Sequence, residues 1–180
     1  MKKRVVWRGW LATLTVGVLL LCSCRAELPS YFGFRERAFS AEIGWEDGGG
    51  ESCAKISVTP DGGAYGVEIE YLAPPALEGV VLTGCCDGEG RLCGEASASL
   101  DGVVIEMEGD ALEALFLPAT AFLAGEEILR VEREGEVYRV ALESGWELSL
   151  NASGVPTGCR GETVGFWVVW WDFPEKSIQK

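Results

Sequence analysis

Seven cysteines carry most of the chemical potential of this 180-residue chain, and no histidine stands with them. A structural zinc site takes cysteine and histidine in closely spaced pairs. The cluster GCCDGEGRLCG, from Gly84 to Gly94, contains no C-x-x-C pair, so neither a metal nor another cofactor is expected. Without histidine there is no Ser-His or Cys-His pair to activate a nucleophile, and no G-x-S-x-G elbow occurs. Two carboxylates would suffice for glycoside hydrolysis. Nothing singles out two among 28 acidic residues, and Glu68 and Glu70 sit on the solvent side of an alternating strand. No catalytic activity is expected.

Cys22 and Cys24 stand apart, because they close the one long apolar run, VLLLCSCRAELPS. Lys2, Lys3, Arg4 and Arg8 form a basic head, and Trp10–Leu21 follows as an apolar core. A bilayer span needs about 20 apolar residues, so this run is too short, and a charged head before a short apolar core describes an export signal. Leu21-Cys22-Ser23 before Cys24 resembles the lipobox of bacterial lipoproteins, with a small residue just ahead of the lipidated cysteine. Read on Cys22 the pattern fails, since Leu21 would hold the small position. Cys24 is the expected lipidation site, bearing acyl chains such as palmitate. Residues 1–23 are the expected signal peptide and 24–37 a linker. The mature protein would face the extracytoplasmic side of the cell membrane, where two or more acyl chains hold firmly and one does not.

Losing the four basic residues of the head would take the net charge from −13 to −17. Nucleic-acid binding depends on cationic side chains neutralising phosphates, so no nucleic-acid partner is expected. An anionic lipid surface would repel the chain as well, which leaves attachment to the lipid. Beyond Cys24, the cysteines Cys53, Cys85, Cys86, Cys93 and Cys159 are odd in number and cannot all pair within one chain. With a turn at Asp87–Gly90, Cys93 would lie opposite Gly84 or Thr83, with Cys85 or Cys86 diagonal to it; one of these two is the expected partner of Cys93.

Positioning all of this is a succession of strands separated by glycine and aspartate turns. AFSAEIGW alternates, with Phe39, Ala41, Ile43 and Trp45 on one face, and AYGVEIEY does the same with Val67 and Ile69. EILRVEREGEVYRVAL has the form of a hairpin turning at Glu134-Gly135, and GWELSLN places Trp146 and Leu148 together. One stretch breaks the rhythm: GDALEALFLPATAFLAGEE offers Asp110 as an N-cap, then Leu112, Leu115 and Phe116 on a helical face. Pro118 should end or kink that helix, with a second short turn over 119–123. In the last strand, TVGFWVVWW, strict alternation puts Val164, Phe166, Val168 and Trp170 on one face and Trp167, Val169 and Trp171 on the other. The expected fold is mainly β, an antiparallel meander with one helical insertion.

The segment YLAPPALEGVVL, with Tyr71, Pro74, Leu77 and Gly79, resembles the LolA/LolB/LppX superfamily of exported bacterial proteins. There a strand ends in an aromatic residue, proline follows, and Leu-x-Gly opens the next strand. FSAEI, SLDGVVIEMEGDALEALFLPATAFL and EVYRVALESGWELSLNASGVP follow the superfamily's order over roughly residues 38–172. The resemblance implies a half-barrel over 38–173, before a tail at 174–180: a single curved antiparallel sheet, its concave face covered by one or two short helices. It also implies a hydrophobic cavity for a lipid or acyl chain, or, in related envelope sensors, a protein partner. The candidate ligand-binding residues are the inward apolar sets Ile43, Trp45, Val67, Ile69, Trp146, Leu148, Phe166 and Val168. The face of the last strand is left open, with Trp167 and Trp170 as alternatives. The expected function is thus a membrane-anchored lipid-binding lipoprotein, and the alternative a lipid-anchored interaction or envelope-sensing module with a filled core.

Lipidation at Cys24 has a direct test. Wild-type protein should partition into membranes with acyl mass on Cys24; Cys24→Ala should be released or left unprocessed, while Cys22→Ala should behave as wild type. Unmodified wild-type protein in the soluble fraction would overturn the assignment.

Overall fold

The computed structural model of the chain describes residues 30–107, 111–125 and 127–173. Cys22, Cys24, the N-cap expected at Asp110 and the 174–180 tail lie outside the described residues. After a 3-10 turn at Gly33–Glu36, six strands follow: β1 (Phe39–Asp47), β2 (Gly50–Asp61), β3 (Ala64–Ala73), β4 (Val81–Cys86), β5 (Leu92–Leu100) and β6 (Val103–Met107). Helix α1 (Ala111–Leu123) leads to β7 (Ile128–Glu134), β8 (Val137–Leu142), β9 (Glu147–Leu150), β10 (Pro156–Arg160) and β11 (Gly165–Asp172). All eleven strands form one antiparallel sheet in the order β6-β5-β4-β3-β2-β1-β11-β10-β9-β8-β7. Two meanders therefore run outward from a β1/β11 seam, and α1 joins their far edges.

That connection suits a curled sheet. Ten strand spacings laid flat would separate the edges by about 48 Å. Between Met107 and Ile128 the helix supplies about 18 Å, and the nine flanking Cα–Cα steps, fully extended, about 31 Å. A flat sheet would hold the connection at full stretch; the sheet curves instead, with α1 inside the curve. The expected mainly β, curved antiparallel sheet with one short helix is what forms.

The inner face is apolar because the strands alternate. Register carries one continuous row across seven strands: Trp171, Ala41, Ile56, Ile69, Leu82, Ala98 and Ile105. Phe116, Phe122 and Leu123 of α1 are fully buried against this face, with Phe39, Ile43, Leu142, Leu148 and Leu150. The aromatic segment of the resemblance forms the β3–β4 connection. Leu77 N–H donates to the Pro74 carbonyl at 2.9 Å, and Gly79, at φ +79°, donates to the Tyr71 carbonyl at 2.9 Å.

Three expectations are corrected. Helix α1 runs unbroken through Pro118. Proline removes one hydrogen bond, to the carbonyl of Ala114, but Ala114 is exposed and water can take that carbonyl. Buried neighbours on both sides hold the helix on the sheet. In β11, Ile43 pairs with Val168 and Glu42 with Trp170, so Val169 is the extra residue of a β-bulge. The bulge turns Trp170 outward and Trp171 inward, where its ring packs 4.9 Å from Phe39 and 6.1 Å from Phe122. The β4–β5 turn spans Asp87–Arg91, one residue more than a four-residue turn. Gly90, at φ +79°, takes the bulge position, and Cys93 lies directly opposite Cys85 instead of diagonal to it.

One cation fixes the helix end. Arg35, 2% exposed, donates from Nε to the Phe122 carbonyl at 2.9 Å, from Nη2 to Ala124 at 3.3 Å and from Nη1 to Gly125 at 3.4 Å. The last carbonyls of a helix have no partners within it and carry its negative pole, so a guanidinium there satisfies both. Phe32, with its ring centroid 4.5 Å from the guanidinium carbon, stacks on the group. Arg35→Met should destabilise the fold by roughly 2–4 kcal/mol in urea unfolding. Arg35→Lys should recover only part of that, because an ammonium cannot reach three carbonyls in one plane. Wild-type stability in Arg35→Met would show that water replaces the arginine.

Candidate functional site

The candidate residues all lie on the concave face, but at different depths. Ile43, Trp45, Val67, Ile69, Leu148 and Phe166 are buried, while Trp146 and Val168 are half-buried. The reason is α1. Its Phe116 ring occupies the space above Gly84, where an added Cβ would come within 3.0 Å. Phe122 packs 6.4 Å from Phe166. Trp45 meets Tyr71 and Phe166 edge-on, at 6.1 and 5.6 Å between centroids, and the Tyr71 hydroxyl donates to the Leu115 carbonyl at 2.8 Å. These contacts tie the helix across the middle of the curve. Trp146 instead stands at the rim, 6.1 Å from Phe166, on the wall of an open cleft of about 850 Å³ that Arg139, Arg160, Glu147 and Glu162 also line.

Trp167 and Trp170 are on the convex face. The Trp167 ring lies flat over Gly44, where any side chain would collide with it at 2.6 Å. Trp170 Nε1 donates to Glu42 Oε2 at 2.6 Å. Phe166 and Val168 supply the inward face of the strand.

Beyond the reach of α1 the concave face stays open. Ala96, Ala98 and Leu100 pair with Met107, Ile105 and Val103, so all six share the inner face. Ala96 is buried, yet Leu100 is 46%, Val103 63% and Ile105 60% exposed. The β3–β4 connection borders this strip at Gly79, where an added Cβ would lie 3.6 Å from Leu100 Cδ1. The row that begins at half-buried Trp171 and buried Ala41 therefore emerges into solvent at Ile105, without a change of chemistry. The opposite edge differs. Ile128 and Val131 of β7 are interleaved with Arg130 and Glu132, which pair at 3.3 Å, and Arg139 pairs with Glu134 at 2.8 Å. Sequence reasoning missed the β6 strip, although VVIEM is an apolar strand; among the described residues it forms an edge of the sheet.

The interior beside the site is dry enough to move titrations. Burial raises the Tyr71 phenol to about 12. It raises the Cys86 thiol to about 12 as well, with the neighbouring Cys93, Cys85 and Asp87 adding smaller pushes. Cys159, whose Sγ donates to the Ala121 carbonyl at 3.3 Å, is also raised, chiefly by burial.

No family model matches the chain, and no curated protein matches it. Solved structures similar to it include an uncharacterized conserved protein from Thermus thermophilus, with 15% identity, 77% of this chain and 79% of that one covered, and a TM-score of 0.46. A putative outer membrane lipoprotein-sorting protein domain from Vibrio parahaemolyticus matches at 9% identity, over 81% and 92%, with a TM-score of 0.43. A chain of the Pseudomonas aeruginosa MucA/MucB complex matches at 15% identity with a TM-score of 0.42; 81% of this chain is covered and 56% of that one.

The raised groups set an alkaline limit. For each, the folded-state value lies above the unfolded one, so its contribution to stability is intact below about pH 9. That contribution falls as pH rises from there toward 12. Denaturation midpoints should hold between pH 7 and 9 and then decline, and the decline should flatten in Tyr71→Phe and Cys159→Ala. A midpoint unchanged to pH 11 would mean that these groups ionise as freely in the folded chain as in the unfolded one.

Proposed function

We propose that this chain is a non-catalytic lipoprotein of the bacterial cell envelope, anchored through Cys24, whose concave face binds the acyl chain of a lipid. The observation that carries this reading is the inner row of apolar residues that runs from the buried centre to the exposed strip of Leu100, Val103 and Ile105. An acyl chain makes no hydrogen bonds and needs only apolar surface, which this strip offers beside a helix that shelters one flank. Each methylene taken out of water contributes about 0.8 kcal/mol, enough over several carbons to offset the ordering of one chain. The ligand would lie first on Leu100, Val103 and Ile105, against Leu115 and Met107. Val67 and Ile69 lie further in, separated from it by Gly84 and Leu82 of β4. Ile43, Trp45, Leu148, Phe166 and Val168, with Trp146 at the far rim, would be reached only as α1 lifts.

A second reading has its own support: the middle of the concave face is filled by Phe116 and Phe122, as an interaction or sensing module would have it. On that reading the chain binds a protein partner and takes up no lipid.

The two are separated by adding palmitate or phosphatidylcholine to the purified Cys24→Ala protein. Lipid binding predicts co-purified lipid by mass spectrometry and a change of tryptophan fluorescence on delipidation. Ile105→Glu and Val103→Glu, at exposed positions that folding tolerates, should weaken palmitate binding at least tenfold. Trp146→Glu tests whether the site extends to the far rim. A folded, lipid-free protein that ignores both lipids would favour the interaction module.

A further inference from the structure

We infer that Cys85 and Cys93 are a redox pair, a dithiol that closes to a disulfide across the β4–β5 hairpin. Register places them directly opposite each other, and both are exposed on the convex face. Cys86, next in sequence, points the other way into the core and pairs with Leu92. The Asp87 N–H donates to the Arg91 carbonyl at 2.9 Å, closing the turn. Alternation from there makes Cys86↔Leu92 a non-hydrogen-bonded pair and Cys85↔Cys93 a hydrogen-bonded one, whose Cα atoms stand about 5.5 Å apart. That lies within the usual spacing of disulfides. The Cβ atoms of such a pair must draw together to bond, so the bridge would be readily reduced, as exposed and strained disulfides are. Gly84 and Gly94 flank the pair and leave the backbone free to adjust.

The other described cysteines are placed differently. Cys159 and Cys86 are buried. Cys53 is half-buried and its Sγ donates to Glu42 Oε1 at 3.6 Å, with burial, then that carboxylate, raising the thiol to about 11.

The chemistry is thiol–disulfide exchange with an external disulfide such as oxidised glutathione. One cysteine thiolate attacks a sulfur of the oxidant and expels a thiolate, leaving a mixed disulfide. The second cysteine attacks that mixed disulfide and expels the other half. Two thiols lose two protons and two electrons, and the oxidant becomes two thiols. The bridge would fix the strands just behind the turn that touches α1. There Gly90 lies so close to the helix end that an added Cβ would sit 2.5 Å from the Leu123 carbonyl carbon, and Gly125 N–H donates to the Glu89 carbonyl at 3.1 Å. The inference stands whether or not the concave strip takes a lipid.

Purified full-length chain is treated with oxidised glutathione at pH 8, denatured, alkylated and digested without reduction. The expected product is a peptide linking Cys85 to Cys93 across the cleaved Arg91 bond, with Cys53, Cys86 and Cys159 alkylated; dithiothreitol should abolish the link. Cys86→Ser should leave it, and Cys93→Ser should remove it. Alkylated Cys93 in the oxidised protein, or Cys93 bonded to any other cysteine, would overturn the pairing. The wild-type map decides the question even where a variant folds poorly.

Discussion

Twenty residues must carry the chain from the last residue of β6 to the first of β7, and those two strands are opposite edges of an eleven-stranded sheet. Most of the architecture follows from that one constraint. A flat sheet would hold the segment at full stretch, and the curl that strand twist favours brings the edges within easy reach. A curled antiparallel sheet with period-two alternation has an apolar inner face. The segment that crosses this face must satisfy its own backbone away from water, and a helix does so. Arg35 completes the arrangement by taking up the carbonyls at the end of α1 that the helix leaves unpaired. It comes from the 3-10 turn just ahead of β1, so the seam of the sheet and the end of the helix are held by one side chain.

Much of this was legible in the sequence because strand alternation is a local property. Phe39, Ala41, Ile43 and Trp45 face inward as their spacing requires, and so do Val67 and Ile69. What escaped depends on insertions of single residues. A bulge at Val169 reverses the tryptophans that follow it, and nothing in TVGFWVVWW marks Val169 rather than its neighbour as the extra residue. Gly90 extends the β4–β5 turn by one position and so decides which cysteine meets Cys93. Pro118 reads as a helix breaker, and its effect is overridden by burial on both sides. Arg35 is missed for another reason: a lone arginine in YFGFRERAF looks like surface charge until the fold brings Phe122, Ala124 and Gly125 to it.

The candidate site was legible in character and not in position. Alternation identifies which residues face inward, but it does not say which of them a helix will cover. Leu112, Leu115 and Phe116 indicate a helix with an apolar face; where it crosses is set by the two edges it must join. Because α1 packs on β2, β3 and β5, the middle of the face is closed and the β6 margin is left bare.

The two margins of the sheet show why that bareness invites explanation. At β7 the chain uses the devices that keep an edge from pairing with other chains: a bulge at Leu129, alternating charges, and ion pairs from Arg130 and Arg139. The described residues of β6 show none of them. Val103, Val104 and Ile105 stand in sequence with one acid, Glu106, after them. Val104 faces the convex side, opposite Ser99, where the surface is polar and a single apolar residue is ordinary. Val103 and Ile105 differ, since they continue an apolar surface that is already sheltered by α1 and the β3–β4 connection. A strand added at this margin would need hydrogen bonds from the edge and would extend both faces alike. A hydrocarbon chain would cover the inner face alone and leave the edge's N–H and C=O groups to water. The apolar surface is concentrated on that inner face, so the asymmetry favours the hydrocarbon.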